Sequence, residues 1–153
     1  MLVNSQAKQL LPKFVGFADA VAAGSGDNTA VENSAGIDTA GYNSALVVVS
    51  GGTTLGEDET LAVTVSTDDS ADNSTFADKE TLATTETYAT GDTGGSTETG
   101  AVAYAIDLDS YKRYLKVSFT PDLSASGTDT ADLNCTVILG NSNDLPVTLP
   151  TAF

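Results

Sequence analysis

Two runs of alternating apolar and polar residues, 111–119 and 131–140, constrain this chain more than any other feature. In the first, Leu115, Val117 and Phe119 alternate with Tyr114, Lys116 and Ser118. In the second, Leu133, Cys135, Val137 and Leu139 alternate with Asn134, Thr136 and Ile138. A period of two puts each apolar set on one face of a strand. The segment between them contains Pro121, Asp122, Ser124, Ser126, Gly127 and Asp129, which are turn-formers and strand-breakers. The pattern predicts an antiparallel hairpin, Tyr111 to Pro146, with one apolar face. That face needs a second sheet to cover it.

The rest of the chain offers more strands. Tyr42 to Ser50 is a β-branched run, apolar on both faces at its end, as suits a central strand stopped by Gly51-Gly52. Leu61, Val63 and Val65 alternate with Ala62, Thr64 and Ser66, and Val102, Tyr104 and Ile106 alternate with alanines. A short strand is expected within Thr29–Asn33 and another over Thr81–Tyr88, with Leu82 inward. Gly36 to Gly41, Ser66 to Ser74 and Thr90 to Gly100 read as turns or exposed loops, with Phe76 pinning the second to the body. After Asn141–Asp144, Val147, Leu149 and Phe153 could dock as an edge segment. Many short strands with turn punctuation and no amphipathic helix predict an all-β, antiparallel, jelly-roll-like β-sandwich spanning 27–153. The expected core holds Leu46, Val48, Leu61, Val63, Leu115, Val117, Phe119, Val137 and Leu139.

Residues 1–26 are less regular. Lys8 and Lys13 precede an apolar run that faintly resembles a signal peptide, but Gly16 and Asp19 interrupt it. The segment reads instead as an extended N-terminal arm. Its Leu10, Leu11, Phe14, Val15 and Phe17 suit a groove, and Lys8 and Lys13 suit an acidic neighbour.

Charge narrows the function classes. The net charge is −15, from 21 acids against 6 bases. Phosphate binding and anionic membrane surfaces need the opposite sign, so neither nucleic acid nor membrane is expected as a partner. The sequence contains no histidine and a single cysteine. Imidazole triads and cysteine-rich zinc sites are thereby unavailable, and Cys135 reads as a small buried hydrophobe. No catalytic residue, cofactor or metal site is assigned, and the chain is not expected to be an enzyme. Asp68, Asp69, Asp72 and Asn73 superficially resemble a calcium loop, but Asn73 and Lys79 stand where an EF-hand needs Gly and Glu. Lys112, Arg113 and Lys116 cluster at one strand, either as edge protection or as a docking point for acidic groups.

The order of several pieces resembles small head proteins of tailed bacteriophages, the decoration or cement proteins. These are Gly41-Tyr-Asn-Ser-Ala-Leu-Val-Val-Val, the stretch ending Ser74-Thr-Phe-Ala-Asp78, Lys112-Arg-Tyr-Leu-Lys-Val and Val137-Ile-Leu-Gly-Asn-Ser-Asn-Asp-Leu-Pro146. The resemblance implies a sandwich on the outer surface of an icosahedral virion. It would bridge subunits of the major capsid protein, often as a homo-oligomer, with a trimer favoured. The interface would use Lys8, Leu10, Leu11, Lys13, Phe14, Val15, Phe17, Lys112, Arg113 and Lys116. The alternatives are a secreted or surface β-sandwich module binding carbohydrate or calcium, and another shell or tail protein.

Overall fold

The strands form two antiparallel sheets that cover each other's apolar faces. The computed structural model describes residues 14–21, 31–123 and 129–142. In chain order the strands are β1 (Phe14–Val21), β2 (Glu32–Asn33), β3 (Ile37–Asp38), β4 (Tyr42–Leu55), β5 (Thr60–Ser70), β6 (Ala77–Thr90), β7 (Ser96–Asp107), β8 (Tyr114–Leu123) and β9 (Thr130–Ser142). A 3-10 turn occupies Leu108–Ser110. One sheet has the order β1-β9-β4-β7; the other has β2-β8-β5-β6, with β3 also on β8. Taking β2 and β3 as one interrupted edge strand, this is the strand order of a jelly roll. Ser34 bridges the interruption: its N–H donates to the Val117 carbonyl at 2.8 Å, and its hydroxyl accepts from the Val117 N–H at 3.0 Å.

Leu115, Val117, Phe119, Leu133, Cys135, Val137 and Leu139 are all fully buried, as the alternation predicts. Their strands are not a hairpin, however. β8 pairs with β5 and the β2/β3 edge, whereas β9 pairs with β1 and β4. The two apolar rows meet face to face across the core. Each therefore satisfies the other's need for a covering sheet. Alternation reports which residues point inward, but not which strand lies beside which.

The parity of β4 also differs from expectation. Ala45, Val47 and Val49 are buried, while Leu46 is 38% exposed and Val48 half-buried. Residues 45–49 are apolar without a break, so the period-two signal gives no phase there. β4 also continues through Gly51-Gly52 to Leu55. A Cβ on Gly51 would lie 2.1 Å from the Asp132 carbonyl oxygen, so glycine there permits close approach of β9 rather than ending the strand. The Tyr88 hydroxyl on β6 reaches the carbonyls of Gly51 and Gly100, tying the second sheet to the first.

Polar stretches expected as loops are partly strand. Ser66–Ser70 complete β5, with Thr67, Asp69 and Ser70 buried, and Ser96–Gly100 begin β7. Thr and Ser pair readily at strand ends, where polarity alone suggests a loop. Ile37, within the expected Gly36–Gly41 turn, is a buried core residue on β3. Phe76 does pin its loop: a Cβ on Gly36 would collide with the Phe76 ring and the Asn73 side chain. On β6, Leu82 is half-buried against the core and Ala83 is buried.

The expected arm is the largest revision. Residues 14–21 form β1, an edge strand paired along its whole length with β9. Val15 stands opposite Val137 and Phe17 opposite Cys135. Phe14, Val15 and Phe17 therefore belong to the sandwich's own first strand, not to an arm outside it. The boundary expected at residue 26 does not separate them from the body.

Val47→Asp and Val117→Asp should each abolish cooperative folding, since an unpaired buried charge costs several kcal/mol. Leu46→Asp should leave far-UV circular dichroism and the urea midpoint nearly unchanged. The reverse outcome would mean that the assigned face of β4 is wrong.

Candidate interaction surface

The charged constellation of the described residues lies at one end of the sandwich, where the 3-10 turn joins β7 to β8. Asp107 caps that turn, its carboxylate accepting from the Asp109 N–H at 3.1 Å, and buried Leu108 anchors it. The chain then passes through Tyr111, Lys112 and Arg113 into β8. Lys112 holds Asp69 twice, through its backbone N–H at 3.2 Å and its Nζ at 2.7 Å. The Asp69 side chain is only 7% exposed. Its burial raises the carboxyl pKa, but the Lys112 hydrogen bonds and charge outweigh this and hold it below the ordinary range. Arg113 grips Asp38 with two contacts, Nε at 3.1 Å and a terminal nitrogen at 2.9 Å. The Arg113 carbonyl accepts from the N–H and hydroxyl of Thr39, so one residue holds the end of β3 and the residue that follows it.

Lys116 lies 3.9 Å from Asp68, the residue opposite it in the β5–β8 register. Lys79 donates to the Ser110 carbonyl at 2.6 Å and sits over the Tyr111 ring at 5.2 Å. Tyr111 donates to Glu80 at 3.0 Å, with the Thr67 hydroxyl 2.8 Å away. Burial, then the Glu80 carboxylate, push its phenol up to about 12. Burial alone pushes the Cys135 thiol up to about 12, so it serves as packing rather than as a nucleophile.

The predicted basic cluster is thus brought together, but each base already has an acid of its own chain. Exposed pairs of this kind contribute about 0–1 kcal/mol each; the buried Asp69 is the exception. The acids of the calcium-like stretch go to separate partners. Asp68 faces Lys116, Asp69 faces Lys112, and Asp72 accepts from the N–H and hydroxyl of Ser74 and from the Ser70 hydroxyl. Those bonds lower the Asp72 carboxyl to about 2. Among the described residues no three acidic, histidine or cysteine side chains are grouped to hold an ion. Lys8, Leu10, Leu11 and Lys13 lie outside the described residues. The sequence reading missed Lys79, Asp38 and Tyr111. The signal that would have found the acids was β5–β8 pairing, which sets Asp68 opposite Lys116 as a cross-strand pair.

The opposite end carries one sign of charge. The β4–β5 turn holds Glu57, Asp58 and Glu59, and Asp92 lies in the neighbouring β6–β7 turn. The Glu57 carboxylate accepts from the Gly94 N–H at 3.1 Å, joining the two turns. All four described bases are at the far end, so among the described residues nothing basic offsets these acids. Asp129, buried, accepts from the Gly56 N–H at 2.9 Å through one oxygen and has no partner for the other among the described residues.

These features define a jelly-roll sandwich with an internally paired basic end and an acidic end. No known family profile matches the chain, and no curated protein sequence matches it. Solved structures do. A chain of the infectious bursal disease virus Gx strain is similar at TM-score 0.52 and 14% identity, over 88% of this chain and 33% of that one. A chain of the infectious bursal disease virus VP2 subviral particle is similar at 0.49 and 14%, over 86% and 34%. The PBSX exported protein XepA is similar at 0.42 and 14%, over 90% and 42%. The chain thus spans about a third of the viral chains, and at such identity the likeness is one of fold.

Asp69→Asn should lower stability at neutral pH by about 1–3 kcal/mol, because Lys112 loses its charged acceptor. The pH profile carries the sign. The folded pKa of Asp69, and of Asp72, lies below the unfolded value of 3.8. Their contribution is therefore present above that value and is lost as pH falls through each folded pKa, which for Asp72 is about 2. Thermal melts of D69N and D72N should show a shallower acid decline than the parent; parallel curves would overturn the assignment. Calcium or chelator should leave the parent melting temperature unchanged, since a cation bound only by the folded chain would raise it.

Proposed function

We propose that this chain is a non-enzymatic virion structural protein, a decoration or cement protein. In this reading it binds the outer surface of an icosahedral phage capsid and bridges major capsid protein subunits. The observation that carries the reading is the jelly-roll sandwich itself, shared with a virus chain over nearly the whole of this one. Viral capsid domains are among the common uses of that architecture. The charge distribution supports it: with Lys112, Arg113 and Lys116 engaged by their own acids, the acidic end is the surface left to meet a basic partner. Residues 1–13, with Lys8, Leu10, Leu11 and Lys13, are the proposed anchor. Burial of their apolar groups contributes about 25 cal/mol per Å² before the ordering cost. Repetition over a shell lets individually weak contacts sum. A trimer is the oligomer that the phage resemblance implies.

The likeness to a virus chain also favours a second reading, a subunit of the shell or tail itself. Particles assembled without this chain decide between the two, because a shell subunit is needed for closure and a decoration protein is not.

The chain should co-sediment with assembled particles and be labelled there by a membrane-impermeant amine reagent. Removing residues 1–13, and no more, should keep the sandwich folded but reduce particle binding at least tenfold. Particles lacking the protein should rupture at a lower temperature. Full binding by the truncated chain would remove the anchor role, and equal robustness of bare particles would remove the cementing role.

A further inference from the structure

The middle of the outer face formed by β9, β4 and β7 lacks the charge found on the other described surfaces. Its rows follow from the register. Leu46 stands between Ala105 and Ile138. Val48 stands between Ala103 and Thr136, and Ser50 between Ala101 and Asn134. The first acids are at the margins, Asp107 opposite Ser44 and Asp132 opposite Gly52. Leu46 is one of two large hydrophobic residues exposed among those described. Six residues along β4, the absence of a side chain at Gly52 leaves a hollow of about 420 Å³, bordered by Thr54, Thr97, Asp132 and Asn134.

We propose that this face binds a second copy of this chain, sheet against sheet about a two-fold axis near Val48 and Ser50. Three observations select that occupant. First, a contact between two chains of net charge −15 is disfavoured wherever acids meet acids, and the described rows of this face bring acids only to its margins, at Asp107 and Asp132. A basic capsid partner would instead select the acidic end. Second, protrusion and hollow are self-complementary. Turning one copy about the centre of the face brings Leu46 of each over Gly52 of the other, as an isologous contact requires. The alanines of β7 allow the close approach of packed sheets, about 10 Å. Third, the area fits a weak pair. Four strands about 4.8 Å apart, over eight residues of about 3.4 Å, present roughly 500 Å² per copy. The pair then buries on the order of 1,000 Å², the lower edge for specific association. The inference does not depend on the virion reading, and its two-fold pair is a different contact from the trimer that the phage resemblance implies.

Sedimentation equilibrium of the full chain, from micromolar to millimolar, should show the mean mass rising from 15.5 kDa toward twice that value. Leu46→Asp should hold it at the monomer with an unchanged circular dichroism spectrum. Gly52→Val should do the same by filling the hollow; its Cβ would meet only Glu98 O and Thr99 Cγ2, both at 3.7 Å, so the fold tolerates it. Thr120→Asp, an equal charge on the outer face of the other sheet, should associate like the parent. A parent that stays monomeric, a plateau at three chains, association by both face variants, or loss of association in Thr120→Asp would each overturn the proposal. If removal of residues 143–153 creates association that the full chain lacks, the chain's own tail is the occupant and the proposal falls. Particle binding is read separately. A parent that pairs but binds no particles overturns the virion reading alone.

Discussion

Burial of two sheet faces against each other is the interaction on which everything else here depends. Neither sheet can stand alone, because each exposes a continuous inward row: Leu115, Val117 and Phe119 on one side, Leu133, Cys135, Val137 and Leu139 on the other. Each buried Leu, Val or Phe contributes about 1.5–3 kcal/mol, and no disulfide is possible with one cysteine. Jelly-roll connectivity places these rows efficiently. Chain segments β4 to β5, β7 to β8 and β8 to β9 each cross from one sheet to the other, so sequence neighbours become opposing layers. The polar chemistry is then arranged at the ends of the sandwich, where the crossings turn.

That arrangement explains why the basic residues, though sparse, are not idle. The chain keeps an acid-rich surface, and its internal acids need counterions where they are drawn into the body. Lys112 answers buried Asp69, and Arg113 holds the short β3 segment through Asp38 and Thr39. A sequence cluster suggesting an external partner is in the structure mostly a clamp on its own loops. Among the described residues, the acidic end and the sheet face around Leu46 carry no such ion pair, and they suit different chemistries.

The sandwich class and most of its core were legible in the sequence because alternation is written in side-chain polarity alone. Val117 and Leu139 needed no tertiary information. Pairing did: a run of inward residues is the same string whether its neighbour in sequence lies beside it or across from it. Phase failed where both faces are apolar, at Ala45–Val49, because β4 is central and its outer side carries Leu46 and Val48 toward an uncharged surface. Extent failed where strands end in Thr, Ser and Gly. The candidate site was legible only as a list of bases, since their acids come from β3 and β5, far away in the chain.

The pairing of β1 with β9 has a mechanical consequence. Phe14 begins β1 opposite Ile138, and Ser142 ends β9 opposite Tyr42, so the flanking segments leave from the same end through adjacent antiparallel strands. Tension pulling those segments apart would open the β1–β9 ladder like a zipper, loading one rung at a time. Tension along opposite directions of a strand would instead shear many rungs together. The β1–β9 ladder therefore resists a pull along its strands better than a pull that parts its two tails.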